Sequence, residues 1–210
     1  MKYQLITIEG NIGAGKTTLS KLLAEHYNAQ LILEQFENNP FLPKFYKDAD
    51  RYAFPLELTF LAERYKQLKK QLTNRDIFQP VTVSDYLFIK SKLFAKVNLP
   101  QDEYELYETL FDIIYPNLPQ PEILLFLQAP ISKLQENISS RNRDYEQDIE
   151  NDYLQKIQDA YSAFLKSQPF ITLMIDTTKT DFLNNKKHFE TLVNYLEADY
   201  EKGTHWLAFE

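Results

Sequence analysis

Gly10-Asn11-Ile12-Gly13-Ala14-Gly15-Lys16-Thr17-Thr18 follows directly on the apolar run Leu5-Ile6-Thr7-Ile8 and holds three of the four glycines of this 210-residue chain. The stretch fits G-x-x-x-x-G-K-[ST], in which a strand feeds a loop whose backbone N–H groups face a polyphosphate at the start of the next helix. Glycines at 10, 13 and 15 let that loop approach phosphate oxygens closely. Lys16 brings a mobile charge for the β- and γ-phosphates, and the Thr17 hydroxyl is set to ligate Mg²⁺. Leu19, Leu22 and Leu23, followed by His26-Tyr27, give the next segment the period of an amphipathic helix. A nucleoside triphosphate is the expected ligand.

Outward from the loop, short apolar runs at 3–9, 30–34, 80–84, 122–128 and 170–175 predict five strands. Helical stretches fall between them, near 16–28, 52–73, 86–98, 101–116, 131–141, 149–167 and 184–198. This alternation predicts an α/β fold: a five-stranded parallel sheet with helices on both faces and a ligand crevice beyond the carboxyl ends of the strands. No repeat or low-complexity linker divides the chain, so residues 1–210 are expected to form one domain. Pro116, Pro119, Pro121 and Pro130 punctuate the approach to and exit from the fourth strand.

Composition narrows the function. A hydrophobic content of 44%, with 14% aromatic residues, is ample for a packed interior. A net charge of −7 argues against a grip on nucleic acid polymers and favours small-molecule ligands. With no cysteine, disulfides, thiolate nucleophiles and cysteine zinc sites are excluded. His26, His188 and His205 are too scattered to suggest a metal cluster. Neither a secretory signal nor an 18-residue apolar span appears, so no membrane partner is expected and the cytoplasm is the expected location.

The strand ends carry the next signal. The second strand is expected to finish at Glu34 and the third at Ser84-Asp85, projecting two carboxylates near the phosphate loop. One could accept the proton of an attacking hydroxyl while the other holds Mg²⁺ directly or through water. Further on, the helix through Leu134 and Ile138 ends in Arg141-Asn142-Arg143, and a new helix follows with Ile149, Tyr153 and Leu154. Two arginines at such a junction suit a lid, near 139–149, that closes over a triphosphate and stabilises charge on the transferring phosphoryl group.

Ile8-Glu9-Gly10-Asn11-Ile12-Gly13-Ala14-Gly15-Lys16-Thr17-Thr18 resembles the opening of the deoxynucleoside kinases, including a Glu-Gly-Asn-Ile prefix that generic phosphate loops lack. The resemblance runs over nearly the whole chain. It implies a P-loop kinase sandwich that moves the γ-phosphoryl of ATP to the 5′-hydroxyl of a deoxynucleoside, with Mg²⁺, in nucleoside salvage. It implies Glu34, before Asn39-Pro40-Phe41-Leu42, as the catalytic base. Tyr46, Glu57 and Arg64 stand at the spacing of a tyrosine that reads the sugar 3′-hydroxyl, a base-reading glutamine and a base-side arginine. Glu146 is similar to a glutamate that approaches the sugar, and Asp181 and Phe182 to the loop that wraps the adenine of ATP. A homodimer, through helices beside the acceptor pocket, is likewise implied.

The chain departs from the family pattern mainly in the acceptor pocket. Glu57 replaces a glutamine, so the group either accepts only, when ionised, or regains a donor, when protonated. Paired with Arg64, seven residues along the helix, it could be held ionised; in an apolar pocket it could instead be protonated. Ser84-Asp85-Tyr86 keeps the acid but lacks the arginine usual after it, and Lys90 is the candidate for its charge. Asn142 replaces a glycine, and Asn137 an arginine. The 101–116 stretch, with Tyr104, Tyr107, Phe111 and Tyr115, has the spacing of a packed face, serving core or dimer. The tail Thr204-His205-Trp206-Leu207-Ala208-Phe209 is expected to dock on a neighbouring surface, a partner subunit included. Two other functions fit the sequence: a kinase for a nucleoside monophosphate or another small alcohol, and a non-catalytic relative that binds nucleotide.

Overall fold

Residues 5 to 10 form β1 (Leu5–Gly10), buried along its whole length, as a strand covered on both faces must be. The computed structural model describes residues 2–36, 39–73, 78–141 and 143–209. After β1 come α1 (Lys16–His26), β2 (Gln30–Ile32), α2 (Leu42–Phe45), α3 (Ala49–Thr73), β3 (Thr82–Ser84), α4 (Lys90–Asn98) and α5 (Gln101–Ile114). The second half runs β4 (Ile123–Gln128), α6 (Ile131–Ser140), α7 (Asn151–Leu165), β5 (Ile171–Asp176), α8 (Lys186–Glu197) and β6 (Gly203–Trp206).

Among the described residues the strands form one sheet in the order β2-β3-β1-β4-β5-β6, and every pair is parallel. Strand alternation sorts the core into two layers. Ile6, Ile8, Leu125, Leu127, Leu173 and Ile175 pack toward Leu19 and Leu23 of α1, Leu134 of α6 and Leu192 of α8. On the other face Phe126 and Met174 meet Phe94 of α4 and Tyr161 of α7, and Leu5 and Ile32 join the cluster of α3 and α5. Tyr107 and Phe111 of α5 belong to that second cluster, and the near-parallel rings of Phe111, Phe88 and Tyr115 group together, each contacting the other two.

Two expectations are corrected here. The sheet has a sixth strand: the tail pairs with β5 of its own chain, Ile171 beside Gly203 and Met174 beside Trp206. That pairing gives the backbone groups of 203–206 a ladder that no partner subunit needs to supply. β2 also stops at Ile32, so Glu34 stands in the loop beyond the strand, freed from the pleat to turn toward the sheet's carboxyl edge.

Candidate active site

At the end of β1 the chain turns through Gly13, with φ +85°, where a Cβ would come within 2.7 Å of the Leu134 carbonyl oxygen; only glycine fits such a turn. Gly15, also at positive φ, opens α1 and leaves the first amides of the helix facing outward. Lys16 Nζ donates to the carbonyls of Gly10, at 2.8 Å, and Asn11, at 2.9 Å. Burial, then the neighbouring Lys90 ammonium, lowers the Lys16 ammonium to about 8, and an anion beside it would raise that value again.

The prefix residues are wired into the fold. The Glu9 carboxylate, 1% exposed, accepts from the Leu87 amide at 2.7 Å and the Tyr161 hydroxyl at 2.8 Å. Burial raises its pKa despite those bonds. Asn11 donates to the Leu154 carbonyl of α7 at 2.8 Å and accepts from the Ile12 amide at 2.8 Å. The loop is thereby fastened to α7 and to the segment after β3. Asn137 donates to the Gly13 carbonyl at 2.8 Å, which ties α6 to the same loop.

Beyond β3, Asp85 Oδ2 accepts from the Thr17 hydroxyl at 2.7 Å, and Oδ1 from the Glu34 amide at 2.7 Å. Glu34 in turn is clamped from two sides. Its Oε1 accepts from Arg64 Nε at 2.8 Å and Nη2 at 2.5 Å, and its Oε2 lies 2.5 Å from Lys90 Nζ. Burial opposes the Glu34 charge, but Lys90 and then Arg64 outweigh it and hold the carboxyl well below its usual range. Of the two states open to Glu57, the one paired with Arg64 is not seen: the guanidinium is occupied by Glu34 and, through Nη1 at 2.8 Å, by Ser91 Oγ.

These groups line one cavity of about 100 Å³, which runs from Lys16 and Thr17 past Glu34, Asp85, Tyr46 and Glu146 to Glu57, Phe60, Phe94 and Asn98. Tyr46 stacks on Tyr145, with ring centroids 6.3 Å apart. Arg143 lies over the Phe36 ring, 4.5 Å from its centroid, and gives Nη1 to Glu146 Oε1 at 2.9 Å. A second, open cleft of about 560 Å³ is bounded by Gly13, Gly15, Thr18, Asn137, Asp181 and Phe182. Arg141 borders both spaces. Asn142 lies outside the described residues.

A cleft for a polyphosphate, joined by one arginine to a pocket with a buried carboxylate, is the layout of a phosphoryl-transfer enzyme. Residues 6–199 match the family described as deoxynucleoside kinase. The chain belongs to the deoxynucleoside kinase family. It is 34% identical over 201 residues to the deoxyguanosine kinase of Bacillus subtilis (strain 168), covering 91% of this chain and 95% of that one. To the deoxyadenosine/deoxycytidine kinase of the same organism it is 30% identical over 204 residues, covering 94% and 93%. Among solved structures, the deoxyadenosine kinase from M. mycoides with bound dATP superposes with a TM-score of 0.79 at 25% identity, over 92% of this chain and 100% of that one.

Against the deoxynucleoside kinase pattern, the residues quoted from the sequence converge: Lys16, Thr17, Glu34, Tyr46, Glu57, Arg64, Asp85, Arg141, Arg143 and Glu146 line the one cavity. Asp181 and Phe182 line the other. Lys90 is the addition that spacing alone leaves undecided. Its ammonium, on a chain 7% exposed, reaches the carboxylate by crossing the Phe94 ring at 5.3 Å.

Proposed function

We propose that this deoxynucleoside kinase transfers the γ-phosphoryl group of ATP to the 5′-hydroxyl of a 2′-deoxynucleoside, serving nucleoside salvage in the cytoplasm. The observation that carries the reading is the continuous cavity from the phosphate loop, past the buried Glu34 carboxylate, to Leu56, Phe60, Phe94 and Tyr153, where Glu57 and Asn98 also line it. The loop Gly10, Asn11, Ile12, Gly13, Ala14 and Gly15 through Thr18, with Lys16, holds the triphosphate; the Gly10 and Ile12 amides donate to the Glu9 and Asn11 side chains, so the amides at the start of α1 do the binding. Asp181 and Phe182 flank the donor base. Tyr46 and Glu146 face the acceptor sugar.

In this reading Glu34 accepts the 5′-hydroxyl proton while the oxygen attacks the γ-phosphorus, and the bond to the β-phosphate oxygen breaks to release ADP. Arg141 and Arg143, in a lid near 139–149, offset charge on the transferring group. The residues present fit Mg²⁺: the Thr17 hydroxyl and the Asp85 carboxylate are hard oxygen donors 2.7 Å apart, and Mg²⁺ is commonly held by one or two such groups together with substrate phosphates. The ion, when bound, neutralises charge on the β- and γ-phosphates.

A monophosphate acceptor fits less well. Arg64 and Lys90 are both spent on Glu34, and Arg143 is paired with Glu146, which leaves an acceptor phosphate poorly matched. A homodimer is also proposed, supported by Leu106 and Ile113, two turns apart on α5 and 54% and 67% exposed. The test is product analysis with ATP, Mg²⁺, the four deoxynucleosides, their ribose counterparts and the matching monophosphates. Deoxynucleoside 5′-monophosphates are the expected products. Turnover of monophosphates alone, or of nothing, overturns the proposal.

A further inference from the structure

The apolar part of the cavity is walled by Leu56, Phe60, Phe94 and Tyr153 and holds Glu57, which is 2% exposed. Asn98 Nδ2 donates to Glu57 Oε1 at 2.7 Å. Glu57 Oε2, equally buried, has no hydrogen-bond partner among the described residues. A buried carboxyl oxygen left unpaired beside an open cavity is costly unless a ligand completes it.

The groups around Glu57 do not hold it in one protonation state. On its own helix Arg64 is turned to Glu34 and Ser91, and on α4 Lys90 ends on Glu34. Tyr107 of α5, Tyr153 of α7 and Tyr46 are phenols whose own ionisation burial suppresses, and Glu34 adds a like charge. Burial therefore pushes the Glu57 carboxyl up to about 7, against the field of Arg64 and the Asn98 amide.

We propose that Glu57 reads the acceptor base through its own protonation state. The neutral carboxyl donates from Oε2 and accepts at Oε1, matching an edge with a ring-nitrogen acceptor beside an amino group, as on adenine or cytosine. The carboxylate only accepts, and matches an edge with two N–H donors, as the N1–H and amino group of guanine present. A pocket built to complete such bonds discriminates strongly against the edge that leaves one unmade.

This inference rests on the nucleoside kinase reading above, and its test separates the two. kcat/KM is measured for deoxyguanosine, deoxyadenosine and deoxycytidine between about pH 6 and pH 8.5, for the wild type and for Glu57→Gln. The three acceptors share the sugar, the 5′-hydroxyl and the donor, so their ratio cancels the titration of Glu34 and of the triphosphate. In the wild type the deoxyguanosine preference should rise roughly tenfold or more across that range, and in Glu57→Gln, which keeps a donor and an acceptor at every pH, the ratio should stay flat. A wild-type ratio constant within about twofold, or the same slope in Glu57→Gln, overturns the inference while leaving the kinase reading intact. Turnover of no deoxynucleoside at any pH overturns both.

Discussion

Lys90 Nζ sits 2.5 Å from Glu34 Oε2, on the carboxylate oxygen that Arg64 leaves open. Lys90 is thereby the candidate for the charge of the arginine absent after Asp85, a point charge where the family pattern has a planar fork. Because Lys90 is the first of the groups that hold the Glu34 carboxyl low, removing it should raise that pKa. The acid limb of the pH–rate profile should then move to higher pH in Lys90→Met, and kcat should fall roughly ten- to a hundredfold, about 1.4–3 kcal/mol in barrier. Lys90→Arg should restore the acid limb. Steady-state rates between about pH 4.5 and pH 8 check this. An unmoved acid limb in Lys90→Met would detach Lys90 from the base.

Glu34→Gln keeps the shape of the carboxylate and removes its basicity. Turnover should drop by at least about a hundredfold, the lower scale of general-base catalysis. ATP binding, measured by calorimetry, should remain close to wild type. Retention of more than about a tenth of the wild-type rate would take Glu34 out of the base role.

Burial raises the folded-state pKa of Glu57 from the ordinary 4.5 to about 7. Between those values the unfolded chain has lost the proton and the folded chain keeps it, so stability falls as pH rises from about 4.5 to about 7 and levels off above. At 1.36 kcal/mol per unit the loss is at most about 3 kcal/mol. Glu34, whose pKa is held low, acts with the opposite sign and only below about 4.5, where its contribution is lost as pH falls. Urea midpoints at about pH 5 and pH 8 should therefore differ more for the wild type than for Glu57→Gln. Equal differences in the two proteins would place the Glu57 titration elsewhere.

Arg141 borders both the acceptor cavity and the donor-side cleft, and its side chain is exposed. If Arg141 acts, as proposed, only on charge that develops between the two ligands, it should be dispensable for folding. Arg141→Ala should lower kcat by roughly 10²–10³-fold, the scale of one lost transition-state donor, while shifting the urea midpoint by less than about 0.5 kcal/mol equivalent. A similar loss in KM with kcat preserved would make it a binding residue instead.

What sequence could and could not disclose follows from the range of each interaction. The phosphate loop is legible because its constraints are local: strand, turn and helix dipole act within a dozen residues. The Glu-Gly-Asn prefix is legible as a pattern, yet its physical reason is long-range, since Glu9 bonds Leu87 and Tyr161 while Asn11 bonds Leu154. The Lys90–Glu34 pair spans 56 residues and leaves no periodic trace. Helical spacing points Arg64 at Glu57, but helix geometry only brings two residues within reach; Glu34, 30 residues upstream, competes for the same guanidinium and takes it. β6 is hidden for a related reason. Gly203-Thr204-His205-Trp206 has little strand patterning of its own and is ordered by the free edge of β5.

Phe209 gives that edge strand a consequence for the donor. Its ring meets Phe182 edge-on at 5.6 Å and also contacts His188 and Tyr195, at 6.0 and 5.9 Å. The Tyr195 hydroxyl donates to the Ala208 carbonyl at 2.8 Å, and the Asp181 amide donates to His188 Nδ1 at 3.0 Å. The tail thus braces, from behind, the loop whose Asp181 and Phe182 face the donor-side cleft. Phe209→Ala removes about 1 kcal/mol of apolar packing from that loop, so the KM for ATP should rise roughly fivefold. The acceptor KM should not change, because none of these residues borders the acceptor cavity. Equal increases in both KM values would mean that the tail stabilises the whole sheet, whereas an unchanged ATP KM would free the loop from the tail altogether.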